Sequence, residues 1–284
     1  MDERQPREKR PRASVIIPSW DGHRNGCVPR LLESIAAQTF SDYETILIKG
    51  VSPQGKAINQ GAEQARGEIL IILDDDSLLA DATVFQRLVD ALDEDPRIGM
   101  AGASIVVPQN ANRFQRRAAR QFPRFCMPVV NRVTDSDLAC HGCCAIPRRL
   151  FEEIGRERED IVRGLDPDLR ARLRAAGYRV VLAPHARIHH PLPPSWKPLL
   201  RTFFRNGFGS AYSQKFQPDS VYETHEALDS ATFQPRTTLA YRAFRFPLRL
   251  LRALLRGQAI RFAAFSAYAC GYGWGFFTAK KTAP

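Results

Sequence analysis

The stretch Gly67-Glu-Ile-Leu-Ile-Ile-Leu-Asp-Asp-Asp76 decides the fold, because a five-residue apolar run ends abruptly in three adjacent carboxylates. An unpaired carboxylate is too costly to bury, so the triplet is expected where a buried strand leaves the core. In open α/β folds, ligands bind at that carboxyl edge of the sheet. Asp74 and Asp76 would point the same way and offer oxygen ligands to a hard divalent cation. A solvated acidic turn is the alternative, since turns also favour Asp.

Strand and helix patterns alternate around this stretch. Short apolar runs at 14–18, 45–48 and 69–73 alternate with helical patterns at 31–36, 57–65 and 82–92. This alternation predicts a parallel, doubly wound sheet with helices on both faces. Further apolar strands are predicted at 100–107 and at about 139–146, the second followed by a helix at 148–154.

Composition predicts one large α/β domain with an appendage. The 284 residues are 44% hydrophobic, which is enough for a sizeable core. The net charge of +11 is uneven, since residues 196–284 contain 13 Lys/Arg against 4 Asp/Glu. Residues 1–12 mix charges and Pro without an apolar run, so we expect a disordered leader, no secretory signal and a cytosolic chain. The six Cys are too sparse for a disulfide scaffold and suit a reducing compartment.

A second carboxylate stands at a predicted helix start in the segment 164–177. Asp166 occupies the expected N-cap position, Pro167 the first helical position and Gly177 the C-terminal stop. Capping alone would explain Asp166. A carboxylate held rigidly at a domain surface also meets the requirement for a general base.

Several motifs occur in a recognisable order: Ala13-Ser-Val-Ile-Ile-Pro-Ser-Trp-Asp21, Leu31-Leu-Glu-Ser-Ile-Ala-Ala-Gln-Thr-Phe40, Tyr43-Glu44, Gly55-Lys-Ala-Ile-Asn-Gln-Gly61 and Ala65-Arg-Gly-Glu68 before the acidic triplet. Together, over roughly residues 13–210, they resemble the family 2 glycosyltransferases, inverting enzymes of the GT-A fold that use nucleotide-sugar donors. The resemblance implies a GT-A-like, Rossmann-related catalytic domain at 13–195 with a mostly parallel sheet flanked by helices. Residues 196–284 would form a basic, helical, membrane-associating appendage.

The resemblance also implies roles for individual residues. The acidic triplet stands at the family's D-x-D position, where Asp74 would approach the ribose and Asp76 would bind Mn²⁺ or Mg²⁺. Leu165 and Asp166 fall on the family's Glu-Asp pair, whose Asp is the general base. His190 stands where many GT-A enzymes place a metal-contacting His, whereas His185 and His189 are less well placed.

The nucleotide-sugar donor is expected to contact residues from several of these motifs, namely Pro18, Ser19, Asp21, Lys49, Lys56, Asn59, Asp74 and Asp75. Three positions depart from the family pattern. Lys49-Gly50 replaces the acidic pair that commonly reads the nucleobase, Ile58 replaces a frequent Arg, and Leu165 replaces the Glu of the pair. The resemblance therefore implies the chemistry without identifying the donor.

Two further segments allow competing interpretations. Cys140-His-Gly-Cys143-Cys144 contains half of a zinc site, but a second ligand pair at suitable spacing is absent, so buried structural thiols in an apolar strand are favoured. The basic segment 108–135 fits either an acceptor-side loop or a solvated face, and the solvated face is favoured. Its arginines are Arg113, Arg116, Arg117, Arg120 and Arg124.

The C-terminal segment carries a membrane-binding pattern. Residues 236–261 contain seven Arg and no acid, with Leu248, Leu251 and Leu255 on one helical face beside an Arg stripe, which suits an anionic membrane surface. The uncharged segment 262–278 is shorter than a span of about 20 residues and contains three Gly, which favours an interfacial or re-entrant hairpin over a crossing. An amphipathic helix packed on the catalytic domain is the alternative. Nucleic acid is not an expected partner, because no recognition motif accompanies the charge.

The combined prediction is a metal-dependent inverting glycosyltransferase at the cytoplasmic side of the cell membrane, bound peripherally or by shallow insertion. Its acceptor would be lipid-linked or a cell-surface polysaccharide. The alternatives are a nucleotidyltransferase of similar fold and a noncatalytic membrane-binding protein that retains the fold.

Overall fold

The computed structural model describes residues 10–222, 228 and 238–281. The helices are α1 (Cys27–Ala36), α2 (Gln54–Gln64), α3 (Val84–Glu94), α4 (Arg113–Ala119), α5 (Arg148–Glu153), α6 (Leu165–Ala175), α7 (Trp196–Phe216), α8 (Leu239–Leu255) and α9 (Ala259–Thr278). The strands are β1 (Ala13–Ser19), β2 (Tyr43–Lys49), β3 (Ile69–Ile72), β4 (Leu78–Leu79), β5 (Ile98–Val106), β6 (Thr134–Asp135), β7 (Cys144–Pro147) and β8 (Arg179–His189).

The described strands form one mixed sheet in the order β2-β1-β3-β7-β5-β8-β4, with β6 paired to β8. The parallel pairing predicted for the first three strands is confirmed, since β1 lies parallel to both β2 and β3. Beyond β3 the prediction of a mostly parallel sheet is too simple. The short strand β7 runs antiparallel to β3 and β5, and β4 and β6 run antiparallel to β8. Strands this short carry no periodicity from which their direction could be inferred.

The core fills the space between the sheet and the helices α1, α2, α3 and α6. Every residue of β3 is buried, and so is Leu73 directly after it. This continuous apolar run matches a strand that is covered on both faces. The three carboxylates follow in a turn, as predicted from the cost of burying them.

Several strands that are distant in sequence end at the same edge of the sheet. β5 and β8 are parallel to each other, and because β7 is antiparallel to both β3 and β5, all of β1, β3, β5 and β8 end at the same edge. The residues just before β7 lie at this edge as well, since Cys144 pairs with Ile72 at the end of β3. The edge is therefore built from segments near positions 19, 74, 141 and 190.

Several predicted boundaries differ from the structure. The strand predicted at 139–146 covers only 144–147, because residues 139–143 form a loop at the sheet edge. The basic segment 108–135, for which no helix was predicted, contains α4, which begins with a capping box between Asn112 and Gln115. The predicted leader is too long, since the backbone N–H of Arg12 donates to Asp42 and its guanidinium contacts Glu68 and Asp93. Residues 1–9 of that leader lie outside the described residues.

The C-terminal helices pack on the rest of the chain. Gly271 of α9 meets α7 so closely that a Cβ atom there would lie 2.0 Å from the carbonyl oxygen of Phe204. Gly207 of α7 makes the reciprocal approach to the Tyr268 carbonyl oxygen, also at 2.0 Å. Ile260 of α9 joins a small apolar cluster around Phe122.

The hairpin predicted at 262–278 is therefore wrong. Residues 259–278 form one continuous helix, in which Gly271 and Gly275 allow close packing instead of interrupting the helix. The alternative was an amphipathic helix packed on the catalytic domain. α9 is a helix, but it packs mainly on α7, within the predicted appendage, and reaches the rest of the chain through Ile260. Within the described ranges, none of the helices combines the length and apolar character that a membrane crossing requires.

Candidate active site

The acidic turn after β3 forms the floor of a cleft of about 410 Å³ at the sheet edge. The cleft is lined by residues from the end of β1, the loop before α2, the acidic turn and the end of β8: Pro18, Ser19, Trp20, Arg24, Val51, Ser52, Gln54, Asp74, Asp75, Asp76 and His190. Six of the predicted site residues thus lie around one cavity.

Three of these side chains could hold a metal ion. Asp74, Asp76 and His190 each offer a ligand atom, and these atoms lie within 4.8 Å of one another. His190 Nε2 is 3.0 Å from Asp76 Oδ1. Two carboxylates and one imidazole form a donor set that suits a divalent cation such as Mn²⁺.

The electrostatics of the acidic turn also fit a cation. Desolvation raises the pKa of Asp74 to about 6, and the neighbouring charges of Asp166 and Asp76 act in the same direction. Desolvation also opposes ionisation of Asp76, but His190 and Arg24 outweigh it and lower the pKa of that carboxyl. The crowding of negative charge around Asp74 is what a bound divalent ion would neutralise.

The middle carboxylate, Asp75, also lines the cleft. Asp75 Oδ2 accepts a hydrogen bond from the Ser19 hydroxyl at 2.7 Å, which ties the acidic turn to the end of β1. Arg24 Nε lies 3.5 Å from Asp75 Oδ1, and Arg24 Nη2 lies 3.2 Å from Asp76 Oδ2. Arg24 and Asn25 have left-handed backbone conformations, with φ of 47° and 53°. This turn directs the guanidinium towards the acids.

Asp166 sits at the same edge with one carboxylate oxygen fixed. Its Oδ1 accepts a hydrogen bond from the backbone N–H of His141 at 2.6 Å and lies 3.2 Å from His141 Nδ1. The other ring nitrogen of His141, Nε2, lies 2.9 Å from Glu157 Oε1. The side chains of His141 and Glu157 are buried, whereas that of Asp166 is 30% exposed. A buried His–Glu pair therefore stands behind a carboxylate that reaches the surface.

The charges of this cluster shift the pKa values of His141 and Asp166 in opposite directions. Burial alone would lower the pKa of His141, but the carboxylates of Asp166 and Glu157 raise it to about 9. Desolvation would raise the pKa of Asp166, but His141 and then Arg170 outweigh it and lower that pKa. The geometry therefore holds Asp166 as a carboxylate, the form that can accept a proton.

The predicted N-cap role of Asp166 is wrong. α6 begins at Leu165, and Gly164 takes the N-cap position with a left-handed φ of 99°. Asp166 consequently lies inside the first turn, where its carboxylate is favoured by the helix dipole, and its side chain turns to the loop before β7. The predicted stop at Gly177 is confirmed, since that residue is left-handed with a φ of 87°.

Four predicted donor-site residues do not line the cleft. Asp21 accepts from the backbone N–H groups of His23 and Arg24 within its own turn. The Lys49 side chain packs over Gly22, and Lys56 is exposed on α2. Asn59 is buried and exchanges hydrogen bonds with the backbone of residue 157. It therefore supports the loop that carries Glu157.

Sequence reasoning missed several residues at the site. Gln54 Nε2 donates to Asp74 Oδ1 at 2.7 Å, and Trp20 and Arg24 line the cleft. The contact between His141 and Glu157 joins two segments 16 residues apart, and no local sequence pattern predicts it. A buried His beside a buried Glu becomes recognisable only when both positions are known.

The cysteines near the site are free thiols. Cys143 and Cys144 are buried, and none of the cysteines in the described part of the chain belongs to a group that could hold an ion. Burial raises the pKa of the Cys140 thiol to about 12. The prediction placed all three in a strand, but only Cys144 lies in β7.

Comparison with known proteins assigns the chain to a family. Residues 48–209 match the model of the family described as "Glycosyltransferase like family 2", which covers more than half of the chain. The chain is a family 2 glycosyltransferase. Its mixed sheet with flanking helices is the GT-A fold, and the predicted C-terminal helical appendage is present.

Individual relatives are distant from this glycosyltransferase. The O-antigen biosynthesis protein RfbC of Myxococcus xanthus is 27% identical over 230 residues, which are 66% of this chain and 18% of that protein. The uncharacterized protein y4gI of Sinorhizobium fredii is 25% identical over 233 residues, covering 65% and 25% of the two chains. The glycosyltransferase thus matches a quarter or less of the length of these curated relatives.

A solved structure shares the fold. The mannosyltransferase PcManGT from Pyrobaculum calidifontis, in complex with GDP-Man and Mn²⁺, superposes with a TM-score of 0.56 at 15% identity. The match covers 96% of this glycosyltransferase and 89% of that chain. The likeness therefore includes the region of the C-terminal helices.

Proposed function

We propose that this enzyme transfers a sugar, with inversion at the anomeric carbon, from a nucleotide-sugar donor to a hydroxyl of a lipid-linked or cell-surface polysaccharide acceptor. The observation that carries the proposal is the placement of Asp166 at the same sheet edge as the acidic cleft. The distant O-antigen biosynthesis relative supports a polysaccharide acceptor.

Asp166 is the proposed general base. Its Oδ1 is held by the His141 backbone N–H, and among the described residues none donates a hydrogen bond to Oδ2. As the acceptor oxygen bonds to the anomeric carbon, its proton passes to Asp166 Oδ2. The bond from the anomeric carbon to the diphosphate oxygen breaks, and the electron pair leaves with the nucleoside diphosphate.

The donor is proposed to lie in the cleft beside the acidic turn, with Pro18, Ser19 and Asp75 on the nucleoside side. Asp74, Asp76 and His190 would hold a divalent cation, Mn²⁺ or Mg²⁺. When bound, this cation supplies positive charge against the developing charge of the diphosphate. Arg24 already provides one guanidinium at the same side of the cleft.

We also propose that the enzyme works at the cytoplasmic face of the cell membrane, bound peripherally. α8 exposes the predicted Leu248, Leu251 and Leu255, the last at 76%, and also Phe244 at 71% and Leu254 at 60%. Arginines accompany them along the same helix. This combination suits the interface of an anionic bilayer.

A thermal-shift screen tests the donor site. Nucleoside diphosphates are added with and without Mn²⁺, and at least one should raise the melting temperature only when Mn²⁺ is present, because ligand binding to the folded state stabilises it. Asp76→Ala should abolish this shift, whereas Asp90→Ala, a change at an exposed carboxylate of α3, should preserve it. A metal-dependent shift that survives in Asp76→Ala would refute the assigned site.

A further inference from the structure

A second cleft, of about 610 Å³, lies between α4, the start of α7 and the start of α9. We call it the α4 groove. Its lining combines arginines with aromatic and aliphatic side chains: Arg113, Phe114, Arg116, Arg117, Arg120, Trp196, Ala259 and Ile260. None of these residues belongs to the donor cleft.

The four arginines place like charges on one helix face. Positions 113, 116, 117 and 120 are spaced three or four residues apart, so they are neighbours on the helix surface and repel one another. Arg116 donates to the carbonyl oxygens of Ala111 and Gln109. Within the described part of the chain, no carboxylate forms an ion pair with any of the four, and residues 108–134 contain no acid. An anion in the groove would relieve this repulsion.

Another part of the groove wall is apolar. The rings of Phe114 and Trp196 pack edge to face with centroids 5.2 Å apart, and Trp196 remains 44% exposed. Ile260 also lines the groove and is buried. A small inorganic anion would leave this wall uncovered, whereas an amphiphile with an anionic head and an apolar chain would cover both sides.

α4 also holds the segment that follows the candidate metal ligand His190. Asn112 Nδ2 donates to the Pro194 carbonyl oxygen at 2.9 Å, and Gln115 Nε2 donates to the Leu192 carbonyl oxygen at 2.8 Å. The same segment ends at Trp196, in the groove wall. The α4 groove is therefore joined to the donor cleft through one short, hydrogen-bonded connection.

We propose that the α4 groove binds the phosphate or diphosphate headgroup of a lipid, with the arginines on the phosphate and Phe114 and Trp196 on the first part of the chain. The basic segment would then be a ligand site and not the solvated face favoured from the sequence. The assignment of this lipid as the carrier of the acceptor rests on the proposed function. Binding of the lipid itself does not.

Farnesyl diphosphate is a suitable probe, because it joins a diphosphate to a short apolar chain. It is titrated into the full chain in EDTA, with binding followed by tryptophan fluorescence and calorimetry. Saturable binding is expected, at least tenfold tighter than that of inorganic pyrophosphate or farnesol. Arg117→Gln/Arg120→Gln should weaken it at least tenfold, whereas Arg30→Gln/Arg149→Gln, which changes two exposed arginines elsewhere, should leave it unchanged.

Two other outcomes of this titration would overturn the proposal. Equal affinity for pyrophosphate would assign the site to free phosphates and overturn the lipid proposal, and undiminished binding in Arg117→Gln/Arg120→Gln would overturn the site. Asp76→Ala should bind the probe normally, because the donor cleft is separate. The Mn²⁺-dependent nucleotide shift in melting temperature should persist in Arg117→Gln/Arg120→Gln. If the unmodified chain shows no such shift but binds the probe, the result counts against the proposed function and not against the lipid site.

Discussion

At the scale of single residues, the candidate base depends on groups that are remote in sequence. Asp166 has one oxygen fixed by His141, and His141 is in turn held against Glu157. The loop that carries Glu157 is anchored by the buried Asn59 of α2. The orientation of one carboxylate is therefore set by three segments of the chain.

Asp166→Asn tests the base. An Asn side chain can still accept from the His141 N–H, but it cannot take the acceptor proton. We expect transfer to fall by roughly 10²-fold or more, with nucleotide-dependent thermal shifts retained. Asp90→Asn on the surface of α3 is the matched control. Normal turnover of Asp166→Asn would remove the base assignment.

His141 gives a pH-dependent contribution to stability. Its folded pKa of about 9 exceeds the ordinary value of 6.5, so its protonation stabilises the fold fully below pH 6.5, and this contribution is lost as the pH rises through 9. A shift of this size corresponds to a loss on the order of 3 kcal/mol. The melting temperature, measured at pH values from 6 to 10, should therefore fall less steeply with pH for His141→Gln than for the unmodified chain. The exposed variant His23→Gln should keep the full slope, and equal slopes for the two variants would contradict the role of His141.

At the scale of elements, the sequence predicted those parts of the site that burial dictates. The acidic triplet had to leave the core after β3, and the βα alternation placed it at a ligand-binding edge. Asp166 was predicted as the base from its motif and stays a prediction, but its N-cap role was wrong because Gly164 can take the left-handed conformation and begin the helix. The direction of β7 and the His141–Glu157 contact could not be predicted, since both depend on pairing between segments without a local signature.

The three glycines of α9 were interpreted as breaks in a helix. Close packing against α7 explains Gly271 and Gly275. A Cβ at Gly271 would collide with the α7 backbone, but a Cβ at Gly273 would meet nothing within 4 Å. Gly271→Ala should therefore destabilise the fold by about 1–3 kcal/mol through overpacking. Gly273→Ala should be neutral or stabilising by up to about 1 kcal/mol, because Ala favours the helix. Thermal or urea unfolding measures the difference, and equal stabilities would refute the close contact.

At the scale of the whole molecule, charge and exposed apolar area concentrate in the same third of the chain. Residues 196–284 hold most of the excess positive charge, and α8 exposes leucines beside its arginines. The two kinds of group respond differently to salt, since screening weakens only the electrostatic attraction. The proposed membrane attachment should therefore have separable electrostatic and apolar components.

Vesicle flotation tests this surface. The full chain should float with vesicles containing phosphatidylglycerol in low salt, and partly in high salt. Leu254→Ser/Leu255→Ser should reduce the salt-resistant part, because these two side chains are among the most exposed apolar groups of α8. Val129→Ser/Val162→Ser removes two exposed apolar side chains elsewhere and should float normally. Failure of the unmodified chain to float in low salt would refute the membrane proposal.

The close contact between α7 and α9 also constrains the order of events during synthesis. Gly207 and Gly271 are 64 residues apart, and a ribosome adds about 5–20 residues per second. Synthesis of Gly271 therefore follows that of Gly207 by roughly 3–13 s, and during this time the α7 backbone at Gly207 has no α9 to pack against. The sheet and its cleft are synthesised before that partner exists. Docking of α9 on α7 consequently follows synthesis of the sheet and its cleft, and until then the Gly207 face of α7 lacks the helix that covers it.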